Sequence, residues 1–175
     1  MIEGRGLLNK LLGRTVTTMI NLNPISEIEF QSYFEATITS YAEHNVESGR
    51  WTQDEASKLA KVEIDAMLPY GLDTPNNLIY VAESKDKNIP VGYLWVAIDE
   101  SSNRKSMFIC DIEIHEEFRK QGYAEAAAYS LERYTRELGV TSIQANIFGH
   151  NKRAQLLSQK LGYQVTNIFV SKQLC

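Results

Sequence analysis

Two short stretches carry side chains that could do chemistry. Residues 119–124, Arg119-Lys120-Gln121-Gly122-Tyr123-Ala124, place two cations, a glycine and a small residue where one apolar run ends and another of different period begins. A strand feeding a helix there leaves the first helical N–H groups without partners, and their dipoles sum to a partial positive charge. Such an end takes phosphate. Gly122 has no side chain to hold a phosphate off the backbone, Ala124 keeps the first turn slim, and Arg119 and Lys120 add charge, so the chemistry is a pyrophosphate seat. The same pattern also suits a tight strand-to-helix turn with solvated charges, and a short glycine motif alone does not separate the two.

Just upstream, Phe108, Cys110, Ile112 and Ile114 alternate with Ile109, Asp111, Glu113 and His115. Period-2 alternation gives a strand over Ser106 to His115 with one apolar face and a second face holding two carboxylates and an imidazole. Paired carboxylates attract a cationic amine and raise each other's pKa, which is the arrangement a general base needs. A solvated outer strand face is the ordinary alternative. His115 suits the strand end and His150 a turn before a helix. No two of His44, His115 and His150 have metal-binding spacing, and no metal is expected.

The elements that must position these groups follow from periodicity and punctuation. Ser26 with Glu29 forms a capping-box pattern ahead of Phe30, Phe34, Ile38 and Tyr41, a helix running to about Glu47. Thr52 with Glu55 repeats the pattern for a second helix carrying Ala56, Leu59, Val62, Ile64 and Met67 and ending before Pro69. "LIYVAES" and "PVGYLWVAI" read as a hairpin around "KDKN". After the Asp111 strand, Ala127, Leu131, Tyr134 and Leu138 give a helix stopped at Gly139; "TSIQANIFG" is a strand, "NKRAQLLSQKL" a helix capped at Gly162, and "YQVTNIFVSKQL" a final strand. The sum is one α/β (α+β) domain, a mixed sheet with helices against it. Tyr41, Glu47, Trp51 and Tyr70 could line an acceptor cleft, although aromatics at helical spacing are more often core.

Bulk properties narrow the partners. Net charge is −4 at pH 7, which argues against general nucleic-acid binding and leaves a cationic small molecule or protein tail open. Cys110 and Cys175 are the only cysteines, so a disulfide framework is not suggested and a reducing, cytoplasmic setting fits. There is no run of 18 apolar residues and hence no expected membrane span. Residues 1–18 contain "IEGR", a protease recognition sequence common in expression leaders; we expect this segment to be a leader, with the domain over residues 19–175.

A second motif adds specificity. Residues 151–163, "NKRAQLLSQKLGY", place Asn151, Ala154, Leu157, Gly162 and Tyr163 in the pattern N-x-x-A-x-x-L-Y-x-x-x-G-F/Y, while Arg119, Gly122 and Ala124 meet Q/R-x-x-G-x-G/A. With both in order, and a strand between them, the chain resembles the GNAT-type N-acetyltransferases over roughly residues 77–172. The resemblance implies a mostly antiparallel sheet flanked by about four helices, in which the Asp111–Ile114 strand splays from its parallel neighbour "SIQANIF". It implies acetyl-CoA as cosubstrate and an amine as acceptor, and the family often dimerises through its C-terminal strands.

Carried over by position, Ile112, Glu113 and Ile114 line the pantetheine arm, with an N–H near Ile112 or Glu113 polarising the thioester. Arg119, Lys120, Gln121, Gly122, Tyr123 and Ala124 hold the pyrophosphate, mainly through backbone N–H groups. Asn151 bonds the arm near the thiol, Ala154 follows it in the motif, and Glu113 is the base. The family's thiolate-protonating tyrosine is replaced here by Ser158. Serine is shorter and far less acidic, so a water held by Ser158, or a nearby side chain, would have to serve as acid. Three readings therefore stand: an N-acetyltransferase acting by direct attack of a primary amine on the thioester, a silent acyl-CoA sensor, and a helix end that binds some other nucleotide.

Overall fold

The computed structural model describes residues 19–172 and residue 174; the expected leader, 1–18, lies outside the described residues. Five strands form one sheet in chain order: β1 (Ile20–Pro24), β2 (Asn77–Ser84), β3 (Ile89–Asp99), β4 (Ser106–Ile114) and β5 (Ser142–Ala145). β1 to β4 pair antiparallel, and β5 joins β4 parallel. Four helices cover the sheet: α1 (Glu27–Glu47), α2 (Gln53–Met67), α3 (Tyr123–Glu137) and α4 (Lys152–Leu161).

The helices start where their caps say they should. Ser26 and Glu29 satisfy each other's backbone N–H groups at the head of α1, and the Thr52 N–H donates to Glu55 Oε1 at 2.9 Å ahead of α2. Gly139 and Gly162, both at positive φ, end α3 and α4. α1 and α2 form a hairpin pinned by Arg50, which bonds Glu63 at 2.6 Å, while Tyr41 donates to the same carboxylate at 2.7 Å. On one sheet face Phe30, Tyr33, Ile64 and Leu68 pack over Ile79, Val81 and Trp95. On the other, α3 lays Ala126, Ala127 and Leu131 against Val91, Leu94 and Met107. Burying each of these large side chains is worth about 1.5–3 kcal/mol, which fixes both helix layers on the sheet.

Four expectations change. β1 was not expected: Ile20 is 1% exposed and pairs with Ser84, a partner 64 residues away that no local pattern signals. α2 turns Ala56, Ala60 and Ile64 inward and leaves Val62 and Met67 exposed. Strict alternation in β4 fails at a bulge, because Trp95 pairs with Asp111 while Val96 pairs with Ile109. Cys110 is the extra residue; it packs with the α1 side, and Ile109 joins Ile112 on the α3 side. Finally, Tyr163 to Lys172 form no strand and lie largely exposed, Phe169 at 93%. The segment pairs with no described strand, so its apolar pattern is not matched by a ladder.

Gly92 marks where β3 and β4 approach most closely: a Cβ there would stand 2.0 Å from the Glu113 carbonyl oxygen. Gly92→Ala should therefore push the strands apart and cost about 3 kcal/mol, a Tm drop of roughly 6–12 °C in thermal melts. An unchanged Tm would contradict this register.

Candidate active site

The parallel pairing of β4 with β5 runs from Ser106↔Ser142 to Ile109↔Ala145 and stops there. Beyond it, Cys110 to Ile114 continue as strand with only β3 beside them. Backbone direction alternates along this half of β4. The Glu113 carbonyl faces Gly92, and the His115 N–H donates to Val91 O at 2.9 Å, so these odd positions address β3. Ile112 and Ile114 therefore turn their main-chain groups toward the opening where β5 has departed. Glu113 turns its main-chain groups toward β3 instead.

The Ile114 carbonyl is already used. Arg119 donates its Nε to it at 2.9 Å and so ties the strand end to the loop that leads into α3. Gln121 makes a similar local tie, its Nε2 donating to Glu117 O at 2.8 Å. Between them the chain takes positive φ at Lys120 (61°) and Gly122 (85°). Left-handed turns of this kind aim successive N–H groups into one concavity. The first helical bond of α3 runs from the Ala126 N–H to Gly122 O, and among the described residues no protein acceptor takes the N–H groups of Lys120, Gln121, Gly122, Tyr123 or Ala124. A Cβ on Gly122 would meet nothing within 4 Å, so the space in front of this helix end is open. Tyr123 is buried against Phe118, and Ala124 packs beside the core. Lys87 carries no motif; its Nζ lies 5.7 Å from the rings of both Phe118 and Tyr123, and it reaches the same end from the β2–β3 turn.

The carboxylate pair lies on the α1 side of β4. Tyr33 Oη donates to Asp111 Oδ2 at 3.0 Å, and the Tyr33 ring packs 5.0 Å from Tyr93, which neighbours His115 at 5.3 Å. Asp111 keeps partial solvent contact, but protein surrounds it, and burial, aided by the charge of Glu113, pushes its carboxyl up to about 6. Burial together with the negative charges of Glu29 and Glu113 raises the Tyr93 phenol. Cys110, beside them, is pushed up to about 12 by burial and by Asp111, which keeps the thiol protonated and unsuited to be a nucleophile. Neither Tyr33 nor Tyr93 was expected here; the Tyr33 contact spans 78 residues of chain.

Asn151 caps α4, its Oδ1 accepting from the Ala154 N–H at 3.0 Å. Ser158, half-buried in that helix, donates its hydroxyl to the Gln155 carbonyl at 2.8 Å. Tyr41 and Trp51 pack edge-to-face within the helix hairpin, and Tyr70 is 71% exposed. His44 and His150, unconnected in the sequence, meet at 3.0 Å. Among the described residues no helix is long and apolar enough to cross a membrane.

Comparison with known proteins gives a consistent picture. A family model described as "Acetyltransferase (GNAT) family" matches residues 36–163. The proteins YycN and YdgE of Bacillus subtilis (strain 168), both named uncharacterized N-acetyltransferases, are each 34% identical, over 89% and 88% of this chain and 99% and 98% of theirs. The crystal structure of YycN superposes with a TM-score of 0.85 at 33% identity, covering 90% of this chain and 99% of that one. At 12% identity, a complex of AAC(6')-Iy with the bisubstrate analog CoA-S-monomethyl-acetylneamine shares the fold, with a TM-score of 0.54 over 89% and 99% of the two chains.

Asp111 sets a stability trade-off. Its folded pKa lies above the ordinary 3.8, so the folded protein holds this proton more tightly, and the group's penalty appears as pH rises through about 6. Asp111→Asn should raise Tm at pH 7.5 and lose that advantage near pH 4, as followed by thermal melts across pH. A variant less stable at pH 7.5 would contradict the burial argument.

Proposed function

The chain belongs to the acetyltransferase (GNAT) family, and from that premise we propose that it transfers an acetyl group from acetyl-CoA to a primary amine of a small molecule or protein by direct attack on the thioester. It is an acetyltransferase; the cosubstrate, acceptor class and residue roles are what this reading adds. The observation that carries it is the opening in the sheet beyond Ile109 and Ala145, in line with the open N–H groups of Lys120 to Ala124. A pantetheine arm is a thread of amides, and a strand edge offers matching donors and acceptors. The unused N–H groups, with Lys87 and Lys120 nearby, fit a pyrophosphate, while Arg119 shapes the turn through Ile114. The AAC(6')-Iy complex supports the fit at the level of the fold, since that protein carries a CoA-linked ligand.

Acetyl-CoA supplies an activated acyl group on a thiol that can leave. Ile112, with its main chain toward the opening, is suited to donate its N–H to the thioester oxygen as charge builds there. The acceptor enters beside Asp111, Glu113 and Tyr93, where negative charge draws a cationic amine. The amine must lose a proton before it attacks. A carboxyl of pKa about 6 is ionised at neutral pH yet basic enough to receive that proton, which assigns the step to Asp111, held by Tyr33. Glu113, the base expected from the sequence, stays as the second carboxylate and fixes the amine. Nitrogen bonds to the acyl carbon, the C–S bond breaks, and the thiolate takes a proton. Ser158 donates its hydroxyl within α4, but its oxygen still accepts, so it can hold the water that delivers that proton. Asn151 faces the arm from the start of α4.

The unpaired outer edge of β5 and the exposed apolar side chains of Val165, Ile168, Phe169 and Val170 are complementary features of one chain. They support a homodimer in which a second copy covers them. A cytoplasmic setting belongs to the same proposal, in keeping with the unpaired Cys110 thiol. The alternative of a silent acyl-CoA sensor rests on Ser158 alone.

Calorimetric titration should give saturable acetyl-CoA binding that ATP does not displace, with a rise in Tm. Gly122→Val, forced into φ +85° and filling the space a phosphate would enter, should abolish that binding; unchanged affinity would remove the seat. In an amine screen, kcat/KM should fall as pH drops below about 6, where Asp111 takes up its proton. Asp111→Asn should lower kcat by about 10²–10⁴ and erase that limb. Tight acetyl-CoA binding without CoA release for any amine would establish the sensor instead.

A further inference from the structure

His44 and Glu47 are one turn apart on α1, so they share a face of the helix. Opposite them the loop between β5 and α4 presents His150, one residue before the Asn151 cap. His44 Nδ1 lies 3.0 Å from His150 Nε2, and that nitrogen lies 3.4 Å from Glu47 Oε2. The three ligand atoms all fall within 4.8 Å of one another. Zinc bonds imidazole nitrogen and carboxylate oxygen at about 2.0–2.2 Å, which in a tetrahedral set places neighbouring ligand atoms about 3.3–3.5 Å apart. The 3.0 and 3.4 Å spacings approximate two edges of such a set, and the third edge, His44 to Glu47, lies within 4.8 Å.

The rings are also held for the task. Phe148 stacks on both, 5.3 Å from His44 and 5.4 Å from His150 at interplanar angles of 22° and 23°, and the two imidazoles stack on each other at 5.2 Å. Two facing ring nitrogens at 3.0 Å must share one proton between them; an ion that takes both lone pairs replaces that proton. A ligating imidazole presents a lone pair, and the 3.0 Å approach of His44 Nδ1 and His150 Nε2 points two ring nitrogens at one place. Glu43 and Glu47 keep the surroundings negative.

We propose that His44, Glu47 and His150 form a binding site for a divalent transition ion of the zinc class, which clamps α1 to the β5–α4 loop. Two imidazoles and a carboxylate suit that class rather than calcium or magnesium, which favour all-oxygen sets. The clamp is structural and not part of the acetyl-transfer chemistry. His44 is eleven residues, about 16 Å of helix rise, along α1 from Tyr33, the partner of Asp111. Closing a contact between residues 106 positions apart, the ion ties the helix over the acceptor side to the segment that starts α4. No sequence spacing signals this site because its ligands come from the two ends of the domain.

The test uses the full chain without an added histidine tag, stripped with a chelator and titrated with zinc chloride by calorimetry and thermal melt. One zinc per chain and a higher Tm are expected. His44→Ala and His150→Ala should each lose saturable binding, and Glu47→Gln should weaken it about tenfold or more. Cobalt(II) loaded into the unaltered protein should give visible d–d bands without a thiolate charge-transfer band, a readout that does not depend on any variant folding. Absence of saturable uptake, uptake retained by the His44→Ala/His150→Ala double variant, or a thiolate band pointing to cysteine would each overturn the proposal.

Discussion

The structure depends on one interrupted ladder. β4 and β5 pair for four residues and then part, so a mixed sheet that would otherwise be sealed acquires an unpaired inner edge. Unpaired backbone groups inside a domain are costly unless something satisfies them. Here the strand end is partly satisfied by Arg119, which donates to the Ile114 carbonyl, and the main-chain groups of Ile112 face the opening. The bulge at Cys110 falls at the same point, where the two partners of β4 cease to agree. Strand bulge, parting strands and left-handed turns at Lys120 and Gly122 set a strand edge and a helix end close together, an arrangement that under the proposed function would serve one extended ligand.

Electrostatics divide the site in two. On the α3 side, open N–H groups and lysines favour phosphate. On the α1 side, Asp111, Glu113 and Glu29 surround phenols and favour a cation. A thioester in the opening would lie between the two. The carboxylates are kept apart from the phosphate end by the sheet itself, since Ile112 and Ile114 turn their side chains toward α3 while Asp111 contacts α1. This arrangement has a cost: a carboxyl raised to about 6 makes the fold less stable at neutral pH than a neutral side chain would.

What the sequence disclosed was what is encoded locally. Capping boxes at Ser26 and Thr52, glycine stops at Gly139 and Gly162, and the strand-to-helix turn at Gly122 depend on residues within four positions of one another, and each is where its pattern places it. The Asn151 cap belongs to the same class. Features missed are those that the rest of the chain decides. The Cys110 bulge breaks a period that a strand considered alone would keep. β1 exists because β2 offers an edge, and whether the last apolar run pairs is set by contacts outside its own pattern; among the described residues it pairs with no strand. Tyr33 with Asp111, Lys87 with Tyr123, and His44 with His150 are long-range meetings that no spacing rule anticipates.

Under the proposed function one extended ligand would occupy the strand edge and the helix end together. Backbone amide resonances of isotope-labelled protein, followed during titration with coenzyme A, test this residue by residue. Ile112, Ile114 and the run from Lys120 to Ala124 should shift together with one saturation curve. Shifts confined to the helix end with Ile112 unmoved, or clustered elsewhere on the sheet, would contradict it.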